Sequence, residues 1–176
     1  MNSLAANEAA AEFGKCCGST TWARRMAAEC PFANSTQLIT IANRIWWSLE
    51  PDDWLEAFAS HPKIGETQAA RGTAVEAPNH PVRAARAETP ENWAAHEQSG
   101  AENAAEETAR SLAEFNGEYE KKFGYIYIVC ATGKSSEEML AILRERLPND
   151  AETELRIAAR EQSRISKLRL RKLIDQ

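Results

Sequence analysis

Tyr125-Ile126-Tyr127-Ile128-Val129-Cys130-Ala131 is the one stretch of this chain with strong strand propensity, and Gly124 and Gly133 bracket it. No second run of that kind offers it a partner, so no sheet is expected. A lone extended segment leaves its backbone donors and acceptors unpaired. It must belong to a helix or present those groups to something else, a ligand among the options. Around it the helix formers Ala, Glu, Leu and Arg are abundant. The eight Gly and seven Pro fall below the roughly 12% usual for that pair. The expectation is therefore an all-α fold: a single-domain helical bundle over residues 1–176, with one short extended segment at about 125–131 and a long loop at about 65–89.

Reading outward, Ser135-Ser136-Glu137-Glu138 has the form of a capping box and opens a helix through Leu147. Pro148-Asn149-Asp150 separates it from a final helix, 151 to about 174. Upstream, Thr89-Pro90-Glu91 supplies an N-cap, a proline at the first helical position and an acid suited to the helix dipole. Residues 90 to about 122 are read as helical; a break, if there is one, falls near Gly100. Between Gly65 and Thr89 the periodicity disappears and Gly72, Pro78 and Pro81 take over, a length of loop that is usually either functional or disordered. Leu38, Ile41, Ala42, Ile45 and Trp46 fall at three- and four-residue steps and mark an amphipathic helix over 37–48. A further helix starts after Pro51, with Asp52 and Asp53 in its first turn and Trp54, Leu55 and Phe58 on its apolar face. It ends at His61, because Pro62 disfavours continuation.

With 21 Lys+Arg against 26 Asp+Glu, a formal charge of -5 and a pI near 5.4, the chain lacks the broad attraction that nucleic acid or an anionic membrane would need. At 43% hydrophobic and 27% charged residues it has the material for a real core. No run approaches the ~20 apolar residues of a membrane span. Residues Met1 to Glu8 lack the basic start and apolar centre of a signal peptide, and Leu173-Ile174-Asp175-Gln176 is not a peroxisomal address. A cytoplasmic location is expected. Cys16, Cys17, Cys30 and Cys130 form no C-x-x-C pair, so reduced, mostly buried thiols are expected. Phosphate-loop, Rossmann and H-E-x-x-H patterns are all missing. His61, His80 and His96 could with Glu97 supply metal ligands, but no pair has the i, i+4 spacing of zinc sites; neither metal nor cofactor is expected.

Three polar side chains fall on otherwise apolar faces. His61 lies seven residues after Trp54 and three after Phe58, so its imidazole points inward at a helix end; a core or capping histidine satisfied by one hydrogen bond has the same pattern. Glu97 follows Trp93 by one turn and precedes Ala101 and Ala104, either buried with a partner or solvated on a tilted helix. In the last helix Leu155, Ala158, Gln162, Ile165, Arg169 and Lys172 recur at three- and four-residue steps, which puts Arg169 on or beside the buried stripe. An inward arginine needs an anion, from a structural Glu or Asp or from a substrate carboxylate held by the planar fork. Arg156, Arg160, Arg164, Lys167 and Arg171 are read as the solvated face.

At His61-Pro62-Lys63-Ile64-Gly65 the chain resembles the decarboxylases of 2-oxo-4-hydroxy-4-carboxy-5-ureidoimidazoline (OHCU), small cofactor-free enzymes of urate degradation. Cys30-Pro31-Phe32, Glu97-Gln98, Asn116-Gly117-Glu118-Tyr119, Lys122-Phe123-Gly124-Tyr125 and Ser166-Lys167-Leu168-Arg169-Leu170 follow in family order, covering essentially the whole chain. The resemblance implies an all-α bundle that converts OHCU, the product of 5-hydroxyisourate hydrolase, to (S)-allantoin and CO2. It implies proton transfer by His61 with Glu97 as its catalytic companion, and substrate contacts from Glu97, Gln98 and Arg169. Pro62 and the backbone of Tyr127, Ile128, Val129, Cys130 and Ala131 would be further binding positions. One departure stands out: many relatives carry Ser three residues before the Glu, where this chain has Ala94, so that hydroxyl contact is absent or replaced, with His96 a candidate. The partner implied is a small molecule, with a homodimer as the expected assembly. Two other classes compete: a helical protein-interaction module built on Trp22, Trp46, Trp47, Trp54 and Trp93, and a metal-dependent ureide hydrolase using the histidines with Glu97.

Overall fold

Short polar side chains set several of the helix boundaries. Asn34 Oδ1 accepts from the Gln37 N–H at 2.9 Å and Ser19 Oγ from the Trp22 N–H at 3.2 Å, each capping a helix start. Ser135 and Glu138 form the reciprocal box: Ser135 Oγ accepts from Glu138 N–H at 3.2 Å, and Glu138 Oε2 accepts from Ser135 N–H at 2.7 Å. In a computed structural model, residues 4–64 and 91–174 are described, with side chains from 105 onward in the second stretch. Among them are seven helices and no strand: α1 (Ala6–Cys17), α2 (Thr20–Ala28), α3 (Ser35–Trp46), α4 (Pro51–Ala59), α5 (Glu91–Phe123), α6 (Ser136–Arg146) and α7 (Ala151–Ile174). The fold is all-α, as expected. The 65–89 loop lies outside the described residues. None of the described helices is long and apolar enough to cross a membrane.

Two details differ from the sequence reading. Helix α4 stops at Ala59, so His61 is not its last residue but stands two beyond it. Pro62 restricts His61, and Ser60 turns its hydroxyl back onto the Ala57 carbonyl at 2.7 Å. Helix α5 runs through Gly100 without a break; one glycine costs only about 1 kcal/mol against alanine in a helix interior, and its neighbours are good helix formers.

Helices α1, α3 and α4 all pack on α7, and α2 packs on α1, α3 and α4. Their shared core holds Phe13, Trp22, Met26, Trp46, Phe58, Ala158 and Leu170. Each buried indole finds a carbonyl: Trp22 donates to Ala42 O at 3.1 Å, Trp46 to Ala159 O at 2.9 Å and Trp54 to Trp46 O at 3.0 Å. A second, smaller core lies between α5 and α6 and contains Leu112, Tyr119, Tyr127, Val129, Leu140 and Leu143.

The 125–131 segment runs between the two cores. Ile126 and Ile128 face the first and Tyr127 and Val129 the second, the period-two alternation of an extended chain. Side chains from two helices and from the connection at 134 stand in for a neighbouring strand. Arg146 Nη1 donates to Ile128 O at 2.8 Å, Cys130 N–H to Glu161 Oε2 at 2.9 Å, and Lys134 Nζ to Cys130 O at 2.7 Å.

Candidate active site

Glycine 18 explains why the end of α4 sits where it does. It closes α1 with φ +85°, and a Cβ built there would lie 2.1 Å from Ser60 Oγ, so α1 and the residue before His61 meet at van der Waals limits. The last carbonyls of α1 are orphaned by helix geometry, and α7 satisfies them. Gln162 Nε2 donates to Cys17 O at 3.2 Å and Arg169 Nη1 to Cys16 O at 3.4 Å. His61 is thus brought beside Gln162 and Arg169.

The imidazole is half-buried, and its Nε2 is a buried atom with no hydrogen-bond partner. Burial first, and the Arg169 charge second, push the His61 pKa below its usual 6.5, while the Gln162 amide pulls the other way. At neutral pH His61 is therefore an uncharged imidazole, able to accept a proton. Arg169 is part-buried, and among the described residues no carboxylate pairs with it. Of the two anions that an inward arginine could hold, the structural acid is not found among the described residues. The solvated basic face behaves as read: Arg156, Arg160, Arg164, Lys167 and Arg171 are exposed, and Arg164 pairs with Glu161 at 2.5 Å.

The segment that follows His61 is tied to α5. Asn116 Nδ2 donates to Ile64 O at 2.7 Å and Lys63 pairs with Glu120 at 2.7 Å. Pro62 is exposed. Helix α5 also carries Ala94, Glu97 and Gln98, whose side chains, like those of Trp93 and His96, lie outside the described residues. Phe58, at the end of the α4 apolar face, packs against Tyr125 with ring centroids 5.3 Å apart and planes tilted by 45°, and burial pushes the Tyr125 phenol up to about 12. Within the 127–131 segment, Tyr127, Ile128, Val129 and Cys130 are buried and Ala131 is exposed. Cys130 N–H is engaged by Glu161, whereas the N–H groups of Val129 and Ala131 have no partner among the described residues.

Sequence reasoning missed three contributors. Gln162 belonged to the recognised stripe, and a wholly buried amide among Leu155, Ala158 and Ile165 was the signal. Arg146 and Glu154 form a buried ion pair at 2.5 Å that also engages Tyr119, Asn149 and Ile128 O; nothing in their spacing advertises it. The thiols behave as expected: all four are free, Cys16, Cys17 and Cys130 are buried, and burial raises Cys17 to about 11, which makes it a poor nucleophile. A cavity of about 360 Å³ opens between α2, α3 and α7, lined by Trp22, Asn43, Trp46, Ser163 and Leu170 among others. It lies on a different face of α7 from Arg169, and its indole N–H groups are already engaged.

Comparison with known proteins bears on this arrangement. The chain is 39% identical over 165 residues to the uric acid degradation bifunctional protein TTL of Arabidopsis thaliana, covering 93% of this chain and 47% of that one. It is 34% identical over 67 residues to the 2-oxo-4-hydroxy-4-carboxy-5-ureidoimidazoline decarboxylase of Amia calva, 38% of each. The chain thus spans half or less of the length of these curated relatives. A crystal structure of OHCU decarboxylase in the presence of (S)-allantoin superposes with a TM-score of 0.70 at 36% identity, covering 94% of this chain and 98% of that one. Because the sequence profile of OHCU decarboxylase matches residues 2–171, nearly end to end, the chain belongs to the OHCU decarboxylase family.

Proposed function

We propose that this chain decarboxylates OHCU to (S)-allantoin and CO2 as a carboxy-lyase of urate degradation, with no cofactor. The observation that carries the reading is the pairing of a neutral, half-buried His61 with a neighbouring Arg169 that has no carboxylate of its own among the described residues. A guanidinium left without an acid beside a proton acceptor suits an anionic substrate that must gain a proton.

The substrate carboxylate sits on a carbon that bears a hydroxyl and adjoins a C=N bond. When the bond to the carboxylate breaks, its electron pair forms a C=C bond with the neighbouring carbon, and the imine pair moves onto nitrogen, which takes up a proton. No external electron sink is required. The resulting enol loses its hydroxyl proton to become the ring's amide carbonyl, and a proton added to one face of the adjacent carbon gives a single enantiomer. Overall one proton is consumed and CO2 leaves. Arg169 holds the carboxylate, and His61 takes the hydroxyl proton and supplies the stereospecific one, a role worth on the order of 10²–10⁴-fold. Glu97 and Gln98, from α5, orient His61 and read the ureido N–H and amide edges. Pro62 and the backbone of Tyr127, Ile128, Val129, Cys130 and Ala131 complete the binding surface, with the N–H groups of Val129 and Ala131, which have no partner among the described residues, as donors to the ring. Ala94 leaves out a hydroxyl contact. The same reading takes residues 1–176 as one domain that acts as a homodimer in the cytoplasm.

The test is to generate OHCU in situ from urate and follow its circular dichroism with and without the protein. Faster growth of the (S)-allantoin signal than in buffer is expected; decay at the spontaneous rate to racemate would overturn the proposal.

A further inference from the structure

The side chains that hold the 125–131 segment all act on one of its edges. In an extended chain the N–H and C=O of one residue point to the same side, and those of the next residue to the other. Ile128 O accepts from Arg146 Nη1 at 2.8 Å, Cys130 N–H donates to Glu161 Oε2 at 2.9 Å, and Cys130 O accepts from Lys134 Nζ at 2.7 Å. Residues 128 and 130 share that edge. On the opposite edge, the N–H and C=O of Val129 and the N–H of Ala131 have no hydrogen-bond partner among the described residues.

Each of the three holding side chains is charged, and their signs alternate along the edge. Arg146 and Glu161 are buried and fixed by ion pairs to Glu154 and Arg164, each at 2.5 Å; Lys134 is half-buried. A trans peptide unit carries the C=O of one residue and the N–H of the next on opposite edges. A cation on the Ile128 carbonyl therefore strengthens the Val129 N–H as a donor, and a cation on the Cys130 carbonyl strengthens the Ala131 N–H. An anion on the Cys130 N–H strengthens the Val129 carbonyl as an acceptor.

We infer that Arg146, Glu161 and Lys134 are positioning residues that polarise this segment through its own peptide units, so that its open edge presents a donor, an acceptor and a donor. A neighbouring strand would engage the same groups with neutral partners and leave the open edge at ordinary strength. The inference rests on the decarboxylase reading only for what the edge serves: negative charge that arises on the ring as CO2 leaves meets donors already polarised towards it. The polarisation itself is a property of the protein without substrate.

The experiment is NMR of the full chain, labelled with carbon-13 and nitrogen-15 and without ligand, on the parent and on Lys134→Met, which keeps the stem and removes the ammonium. A carbonyl that accepts a strong bond draws electron density from the nitrogen of its own peptide. The Cys130 carbonyl carbon and the Ala131 amide nitrogen should therefore both move upfield in the variant, while the Val129 nitrogen, in a peptide still gripped by Arg146, moves far less. Lys134→Gln, which donates without charge, should give a smaller displacement of the same signals. With OHCU, the turnover number of Lys134→Met should fall about 2- to 10-fold with KM within about twofold, because a donor is weakened and not removed. An unmoved Ala131 nitrogen, a Val129 nitrogen displaced as far, or parental turnover in the variant of an active enzyme would overturn the inference. Should Lys134→Met not fold, the same signals in Lys134→Gln decide it. A parent protein that shows these shifts but leaves OHCU to decay at its spontaneous rate would count against decarboxylation and leave the polarised edge intact, so the two can fail separately.

Discussion

The two halves of α7 bury polar groups in opposite ways. In its first turn Glu154 is fully enclosed, and both oxygens are engaged: Arg146 and Tyr119 meet one, and Asn149 Nδ2 meets the other at 2.8 Å. About two turns later Gln162 Oε1, and beside α7 His61 Nε2, are buried without partners, and among the described residues Arg169 has only a backbone carbonyl. A satisfied network in low dielectric fixes geometry: here it pins the α6–α7 corner and, through Arg146 on Ile128 O, the extended segment. An unsatisfied one leaves bonding capacity for something that arrives later. One helix thus carries a structural anchor at its start and the candidate chemistry nearer its end.

That contrast can be broken from either side. The largest effect belongs to the open half: His61→Asn should lose about 10²–10⁴-fold in turnover, up to about 5.5 kcal/mol of barrier, while its melting curve stays near that of the parent. The closed half should respond in the reverse manner. Arg146→Ala leaves Glu154 buried without its cation and should cost about 3–5 kcal/mol in denaturant unfolding. Back in the open half, Arg169→Lys keeps the charge but loses the fork, and steady-state kinetics should give a KM raised about 10- to 100-fold; unchanged KM and turnover would remove Arg169 from the substrate. Gly18→Ala tests the joint that brings His61 to α7. It combines an unfavourable positive φ with a clash on Ser60, and a loss of about 1–3 kcal/mol is expected by urea titration.

The smallest effect is on pH dependence. Since the folded protein holds the His61 pKa below 6.5, the acid limb of kcat/KM should lie below pH 6.5, where the imidazole charges. The same depression makes the folded state bind fewer protons than the unfolded one. Stability from this group is therefore fully present above 6.5 and declines as pH falls through the folded value. Arg169→Gln removes a cation that helps hold the pKa down and should move the limb to higher pH.

How much of this was legible follows from distance along the chain. Helical steps in 155–169 were enough to place Arg169 on the inward side, and Phe58, His61 and Pro62 located the imidazole near a helix end, missing only that α4 stops two residues sooner. Local signals of that kind survive in sequence because they depend on neighbours within two turns. The 125–131 run was read as extended and unpartnered, but the groups that bond it come from Arg146 and Glu161, 18 and 31 residues away from the atoms they hold. Arg146 and Glu154 could not be paired by spacing either, because the 147–150 connection lies between them and a glutamate in a first helical turn already has a reason to be there. The Asn116-to-Tyr119 and Lys122-to-Tyr125 motifs were matched without a purpose. The structure supplies one: Asn116 ties down Ile64, Tyr119 meets Glu154, and Lys122 Nζ caps the end of α6 through Leu147 O at 2.7 Å.

The account turns on His61 as the proton carrier beside Arg169, and the optical signal of the product reports on it directly. OHCU generated in situ, followed by circular dichroism with equal folded concentrations of the parent and of His61→Asn, should give rapid (S)-allantoin with the first and the slow racemic decay of buffer with the second. Equal rates and equal optical activity from the two proteins would contradict it.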